Sequence, residues 1–155
     1  MEIPSLQGFT RESGLMTMEK PLKKSEEHEA LRIGVPREVA NEERRVSIAP
    51  SGVSTLVANG HEVYVEQGAG RQAHFRDDEY IEAGAELVDG PGDLYSRCDL
   101  IVKGGPPDDN EVDLLQERQT LISALNLGGT EPDFLRRLMN LKITGIGFEF
   151  IRDPD

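Results

Sequence analysis

The stretch "LRIGVPREVANEERRVSIAPSGVSTLVANGHEVYVEQ", residues 31–67, contains a strand, a helix and a second strand in that order. "LRIGVP" is a short apolar run stopped by Pro36, and "HEVYVEQ" alternates apolar and polar residues as a half-buried strand does. Between them, "PSGVSTLVANG" has a helical apolar spacing, with Ser51 as the candidate N-cap and Gly60 at the end. Two strands connected through a helix lie parallel in a right-handed crossover. The stretch therefore predicts an α/β fold.

The same alternation continues along the rest of the chain. Further strands are predicted at "AELVD", "DLIVKGG", "TLISALNLGG" and "ITGIGFEFI", and further helices at "RDDEYIEAG", "GPGDLYSRC", "DNEVDLLQERQ" and "EPDFLRRLMNLK". We predict a single domain over residues 31–155, a parallel sheet with helices on both faces of the flavodoxin-like or Rossmann-like three-layer type. Residues 1–30 lack periodicity and are predicted to form a flexible N-terminal arm, either disordered or wrapped around a neighbouring subunit.

Composition excludes several classes of partner. The chain has 155 residues with a formal net charge of −12, which disfavours binding to nucleic acid or to anionic membranes. No apolar run approaches the ~20 residues that span a bilayer, and there is no signal-peptide pattern, so we expect a cytoplasmic protein without membrane insertion. Its single cysteine, Cys98, is predicted to pack in the core, and its histidines lack metal-ligand spacing.

One short motif resembles a dinucleotide-binding fingerprint. Gly68, Gly70 and Ala73 form a G-x-G-x-x-A pattern after a strand, and Asp89 stands where a ribose-binding acid is expected. In a working fingerprint the helix begins within the glycines, so that its N–H groups face the pyrophosphate. Here the helix is predicted to start at Asp77, after the bulky segment "RQAHFR". The residues therefore favour a turn over a nucleotide site, and we expect no cofactor-binding residues in this chain.

Several ordered motifs carry a family resemblance: "IGVPREVANEERRVSIAPSGVSTLVANGHEV", "EQGAG", "DDEYIEAGAELVD", "CDLIVKGGPP", "QTLISALNLGG" and "ITGIGFEFI". From Leu31 to about Asp153 the chain resembles the N-terminal domain shared by alanine dehydrogenases and the alpha subunit of proton-translocating NAD(P) transhydrogenase. The resemblance implies a substrate-side domain, with NAD held by a separate Rossmann domain. The sequence ends before any such domain, so we expect a fragment that is inactive alone.

The resemblance implies a substrate-binding role for Arg45, which matches the arginine that binds the substrate carboxylate in alanine dehydrogenases. A planar guanidinium can hold a carboxylate through two parallel hydrogen bonds, which agrees with that role. The alternative from the residues alone is a surface ion pair with Glu42 or Glu43.

Two other positions depart from the family pattern. Lys103 matches the first lysine of the family's strand end, but the lysine that contacts substrate is replaced by Gly105. The family's catalytic histidine falls on Asn126, which can hydrogen-bond a carbonyl but cannot shuttle a proton near neutral pH. Lys103 either supplies the missing ammonium as a substrate-binding residue or is an ordinary surface lysine. Glu149 matches a family glutamate near the domain junction, and we predict a structural hydrogen bond for it.

The resemblance leads to one main hypothesis and two alternatives. The main hypothesis is oxidative deamination of L-alanine to pyruvate and ammonium with NAD, in which Arg45 anchors the carboxylate while Lys103 and Asn126 polarise the carbonyl or imine. The partner is then a small amino or keto acid, and the full-length protein is expected to be a homo-oligomer. The alternatives are the N-terminal part of a transhydrogenase alpha subunit and a non-catalytic flavodoxin-like binding module.

Overall fold

A computed structural model describes residues 29–39, 44–127 and 132–151 of the chain. The predicted arm over residues 1–30 lies outside this part except for its last two residues. The described strands are β1 Arg32–Val35, β2 Glu62–Glu66, β3 Glu86–Val88, β4 Leu100–Val102, β5 Thr120–Ser123 and β6 Thr144–Gly147. The described α-helices are α1 Pro50–Ala58, α2 Asp77–Glu82, α3 Pro91–Arg97, α4 Asp109–Leu114 and α5 Pro132–Asn140. Short 3₁₀ turns cover Arg71–Ala73 and Phe148–Phe150.

The strands form one six-stranded sheet in the order β3-β2-β1-β4-β5-β6, with every neighbouring pair parallel. This confirms the predicted parallel α/β class. Of the two arrangements left open by the sequence, the order is the Rossmann one rather than the flavodoxin one. The chain progresses outward in one direction from β1 to β3 and in the other from β4 to β6. The order therefore reverses between β1 and β4, where the ends of these strands leave a crevice.

Each face of the sheet has its own apolar core, which explains why the buried strands are rich in Val, Ile and Leu. On one face α1 and α2 pack against the sheet through Val53 and Tyr80. On the other face α3, α4 and α5 pack against Ile101 and Leu121 of the central strands. Cys98 lies in this second core, where burial raises the pKa of its thiol to about 12. Its predicted packing role is confirmed.

Gly34 lets α3 lie directly on the central strand. A Cβ atom at this position would lie 2.7 Å from Leu94 Cδ2 and 2.9 Å from both Cys98 Sγ and Ile101 Cδ1. Such distances are well inside van der Waals contact, so any side chain would displace the helix or the strand. The tight contact between α3 and β1 therefore depends on a residue without a side chain.

Two details of the predicted elements were wrong. Ser51 is not the N-cap of α1, because the helix begins at Pro50 and Ala49 is the cap. Proline is favoured at the first helical position, where its missing N–H has no intrahelical partner to lose. The last strand was predicted through "FEFI", but pairing with β5 ends at the Ser123–Gly147 pair and the chain turns into the 3₁₀ segment.

Within the described residues, none of the helices combines the length and the apolar character required to cross a bilayer.

We expect Gly34→Ala to lower the free energy of unfolding by about 1–3 kcal/mol, because the added methyl overpacks the contact between β1 and α3. Urea denaturation followed by circular dichroism measures the change. Gly92→Ala is the matched control, because Gly92 lies in α3 itself and a Cβ there meets nothing within 4 Å. The control is expected to be neutral or slightly stabilising. Equal losses in both variants would contradict the close-packing explanation.

Candidate functional site

The loops that follow β1 and β4 meet at the crevice where the strand order reverses. Glu38, three residues after β1, is buried and reaches across to the loop after β4. Its Oε1 accepts a hydrogen bond from the Gly104 N–H at 2.6 Å, and its Oε2 accepts one from Gly105 at 3.4 Å. The same Oε2 lies 3.2 Å from Nζ of Lys103. One carboxylate thus holds the main chain and the lysine at the end of β4.

The Lys103 ammonium lies in the interior between the carboxylates of Glu38 and Glu111. These three side chains form the Lys103 cluster. Lys103 Nζ donates to Oε1 of Glu111 at 2.6 Å as well as contacting Glu38, and only 1% of the side chain is exposed. The alternative of an ordinary surface lysine is therefore wrong. The Tyr95 hydroxyl also donates to Glu111 Oε1, at 3.3 Å. Burial, followed by the charge of Glu111, raises the pKa of this phenol, so it remains a donor at physiological pH.

Glu111 is oriented by the start of its own helix. The Asp108 side chain accepts a hydrogen bond from the Glu111 N–H at 2.8 Å, and Glu111 Oε2 accepts one from the Asp108 N–H at 2.9 Å. This is a reciprocal capping box, which satisfies two N–H groups of the helix terminus. One carboxylate oxygen is therefore used by the cap and the other is presented to Lys103. The D-x-x-E spacing is readable in the sequence, whereas the buried lysine opposite it is not.

A cavity of about 210 Å³ lies at the end of β4 and brings two of the predicted site residues together. Arg45 and Lys103 both line it; the other lining residues are Val46, Ser47, Val102, Gly104 and Phe148. The Ser47 hydroxyl donates to the Val102 carbonyl at 2.7 Å, which anchors the segment that carries Arg45 to the end of β4. Ser47 and Glu38 were not identified from the sequence, because neither belongs to a recognisable motif.

Asn126 is placed at the neighbouring strand end rather than in the lining of that cavity. Its φ angle of 52° is left-handed, a conformation that asparagine tolerates better than most residues. Its backbone N–H donates to Oε1 of Glu149 at 2.9 Å, which confirms the structural hydrogen bond predicted for Glu149. Phe148, the residue before Glu149, does line the cavity. The catalytic role of Asn126 and the substrate contacts of Arg45 and Lys103 remain predictions.

The glycine motif, as the structure describes it, does not have the shape of a dinucleotide-binding site. Gly68 has a φ angle of 79° and its N–H donates to Asp77 Oδ1 at 2.9 Å, so this turn is closed by a side chain. At Gly70, a Cβ would lie 2.7 Å from the Tyr80 ring, so aromatic atoms occupy the space beside the loop. The helix begins only at Asp77, which confirms the predicted turn. No hydride-transfer step can be derived from these residues.

A larger cavity of about 670 Å³ opens beside the same turn, at the ends of β2 and β3. Glu66, at the end of β2, is buried there, and its carboxylate accepts the Arg37 N–H at 2.8 Å. Asp89 also lines this cavity. We place the candidate site at the smaller cavity, because Arg45 and Lys103 both line it and neither lines the larger one. Among residues 29–39, 44–127 and 132–151, no group of three metal-ligating side chains is assembled.

Comparisons with known proteins point to one family. Residues 34–155 match the family described as "Alanine dehydrogenase/PNT, N-terminal domain". The chain is 40% identical over 123 residues to the alanine dehydrogenase of Methanococcus maripaludis, covering 79% of this chain and 33% of that protein. It is 38% identical over 123 residues to the alanine dehydrogenase of Staphylococcus saprophyticus, with the same two coverages of 79% and 33%.

Solved structures agree with the sequence comparison. An L-alanine dehydrogenase superposes with a TM-score of 0.76 at 40% identity, over 80% of this chain and 34% of that chain. The transhydrogenase from Sinorhizobium meliloti superposes with a TM-score of 0.73 at 25% identity, over 78% of this chain and 36% of that chain. These matches confirm the resemblance inferred from the sequence. The chain spans about a third of the length of these relatives.

We expect Lys103→Met to lower the free energy of unfolding by about 3–5 kcal/mol, because it leaves two buried carboxylates without their cation. The exposed ion pair between Lys142 and Glu117 has the same N–O distance of 2.6 Å and provides the control. Lys142→Met should cost less than about 1 kcal/mol, since a solvated pair contributes little. Chemical denaturation measures both values. A loss as small in Lys103→Met as in the control would show that the buried cluster is not a stable ion pair.

Proposed function

Because the chain belongs to the alanine dehydrogenase/PNT N-terminal domain family, we propose that residues 31–155 form the substrate-side domain of an NAD-dependent alanine dehydrogenase. The reaction of the whole protein is the oxidative deamination of L-alanine to pyruvate and ammonium. The identity of 40% to an alanine dehydrogenase over 123 residues is the observation that carries this proposal. The cavity lined by Arg45 and Lys103 is the proposed location of the site.

In this proposal Arg45 anchors the carboxylate of the amino or keto acid. Arg45 is exposed and lines the cavity at the end of β4, so a small anion can approach its side chain. A guanidinium stays charged at every physiological pH and offers a planar pair of donors that matches a carboxylate. Ser47 fixes the segment that follows Arg45 to β4, which limits the motion of the anchor. Anchoring one end of the substrate orients its reacting carbon, which accounts for a large part of catalysis.

Asn126 and Lys103 complete the proposed site in different ways. Asn126 donates a hydrogen bond from its amide to the carbonyl or imine, and it moves no proton, because a carboxamide does not titrate near pH 7. The proton acceptor is therefore proposed to come from residues other than Asn126. Lys103 has its ammonium engaged by Glu38 and Glu111, so a direct contact with substrate requires it to leave both carboxylates.

NAD is proposed to bind outside residues 31–155, since the described glycine turn does not accommodate it. We further propose a cytoplasmic location and a homo-oligomeric assembly for the protein, as inferred from the sequence. The substrate is proposed to be a small amino or keto acid, in keeping with a cavity of about 210 Å³.

A transhydrogenase alpha subunit is the second candidate. The replacement of the family's substrate lysine and catalytic histidine by Gly105 and Asn126 supports it, because a hydride exchange between nucleotides needs neither residue. The lower identity of 25% to the S. meliloti transhydrogenase, against 40% to the alanine dehydrogenases, favours the first candidate. An assay with NADH and a thionicotinamide nucleotide as acceptor, with and without L-alanine, separates the two activities.

The reading frame beyond codon 155 provides the first test. A strand–GxGxxG–helix pattern encoded downstream supports the dehydrogenase. A stop codon directly after codon 155 contradicts a complete enzyme in this chain and leaves the non-catalytic module as the better explanation. We expect purified residues 1–155 to form no NADH from L-alanine and NAD, because the glycine turn in the described part of the chain does not fit a dinucleotide. NADH formation by this chain alone would contradict the proposal that NAD binds outside residues 31–155.

In the complete gene product, we expect Arg45→Ala to lower kcat/KM for L-alanine by roughly 10- to 1000-fold, because a charge-assisted pair with the carboxylate is lost. Arg45→Lys should restore only part of the activity, since an ammonium cannot make the planar two-point contact. Arg44→Ala is the matched control at the adjacent exposed arginine. Measuring NADH formation at 340 nm gives the three values, and an unchanged kcat/KM in Arg45→Ala excludes it as the anchor.

A further inference from the structure

We propose that Lys103 is a positioning residue, whose ammonium fixes Glu38 and through it the main chain of Gly104 and Gly105 beside the substrate cavity. The link from this main chain to substrate rests on the function proposed above. Lys103 then acts on the substrate through the loop it holds, instead of by direct contact.

The contacts form a continuous series from Glu111 in α4 to Gly104 in the loop after β4. Glu111 is fixed by its capping box and receives the Lys103 ammonium at 2.6 Å. Lys103 lies 3.2 Å from Glu38 Oε2, and Glu38 accepts the Gly104 N–H at 2.6 Å. The side chains of Lys103, Glu38 and Glu111 are each exposed by 7% or less. Solvent therefore does not screen the attraction between them, and the position of one group constrains the next.

Stability alone is a poor reason for this arrangement. Two carboxylates and one ammonium carry a formal net charge of −1 in the interior, and their desolvation offsets much of their mutual attraction. Apolar side chains of similar volume would stabilise the fold as well or better. What apolar side chains cannot do is accept the N–H groups of Gly104 and Gly105. The benefit of the cluster is therefore the placement of that loop.

The loop after β4 depends on the hydrogen bonds from Glu38, because Gly105 has no side chain that could hold the loop in place. Gly105 stands where the family has its substrate lysine, and a Cβ there would lie 3.7 Å from Glu38 Oε2. Gly104 lines the cavity with Arg45, so a shift of the loop changes the distance between the cavity wall and a bound carboxylate. Displacements of about 1 Å in such sites reduce the rate or affinity by up to roughly 100-fold.

The test is a charge-balanced double variant, Lys103→Met with Glu111→Gln, which leaves the net charge of the cluster at −1 while removing the cation that holds Glu38. The matched control makes the same two substitutions in the exposed pair, Lys142→Met with Glu117→Gln. Amide hydrogen exchange in ¹⁵N-labelled residues 1–155 reports on Gly104, with Leu121 of β5 as an internal reference. Titration with pyruvate reports on the cavity in the same samples.

We expect Gly104 to exchange at least about tenfold faster in the double variant after correction for the acceleration at Leu121, which reports the loss of global stability, with the control like the parent. Unchanged exchange at Gly104, or an equal acceleration at Gly104 and Leu121, overturns the proposal, because the lysine then contributes only to global stability. Where the double variant does not fold, Lys103→Gln with Glu111→Gln replaces it. That variant keeps the net charge of −1 and the Glu38 acceptor of the Gly104 N–H while removing the cation, and the same two outcomes apply.

The pyruvate titration separates this inference from the proposed function. Pyruvate binding that weakens roughly tenfold in the double variant, and not in the control, supports the link to substrate. Equal pyruvate affinity in the parent and the double variant overturns that link. A parent that does not bind pyruvate contradicts the proposed function of this cavity, while the exchange of Gly104 still decides whether Lys103 positions the loop.

Discussion

The buried ammonium of Lys103 joins the two halves of the sheet, because its carboxylate partners come from different elements. Glu38 follows β1, Glu111 lies in α4, and Lys103 directly follows β4. Parallel strands share no hairpin, so the loops beyond their carboxyl ends are not held together by the ladder of the sheet. A side-chain cluster takes over that role here. Loss of the ammonium would leave two carboxylates without a cation in the interior.

The location of the candidate site follows from this link between the loops after β1 and β4. The crevice between β1 and β4 is where open parallel sheets bind ligands, and the cluster determines how closely the two loops approach. Ser47 attaches the Arg45 segment to the Val102 carbonyl at the same strand end. The result is a small cavity lined by Arg45 and Lys103, in which the guanidinium of Arg45 can pair with a carboxylate. The glycine turn farther along the sheet is filled by its own aromatic neighbour, Tyr80.

Most of the fold could be predicted because it is recorded in local patterns. Alternation of strand and helix spacing predicts a parallel sheet, and the glycines at 60, 68 and 84 adopt the positive φ angles that end helices and form turns. The strand endings were less predictable, since β6 stops where its neighbour β5 stops, a limit set by pairing rather than by composition. The choice between Rossmann and flavodoxin order likewise depends on which strands become neighbours.

The candidate site could likewise be predicted from the sequence only in part. The sequence by itself determined the family, the parallel α/β class and the two residues, Arg45 and Lys103, that meet at one cavity. Only the tertiary structure decided that Lys103 is buried and held by Glu38 and Glu111, 65 residues before and 8 residues after it in the chain. The reason is physical: a lysine at a strand end reads as a surface residue until the carboxylates that compensate its desolvation are located. Those carboxylates are brought to it by the crossover from β1 and by the cap of α4, which no local pattern around Lys103 records.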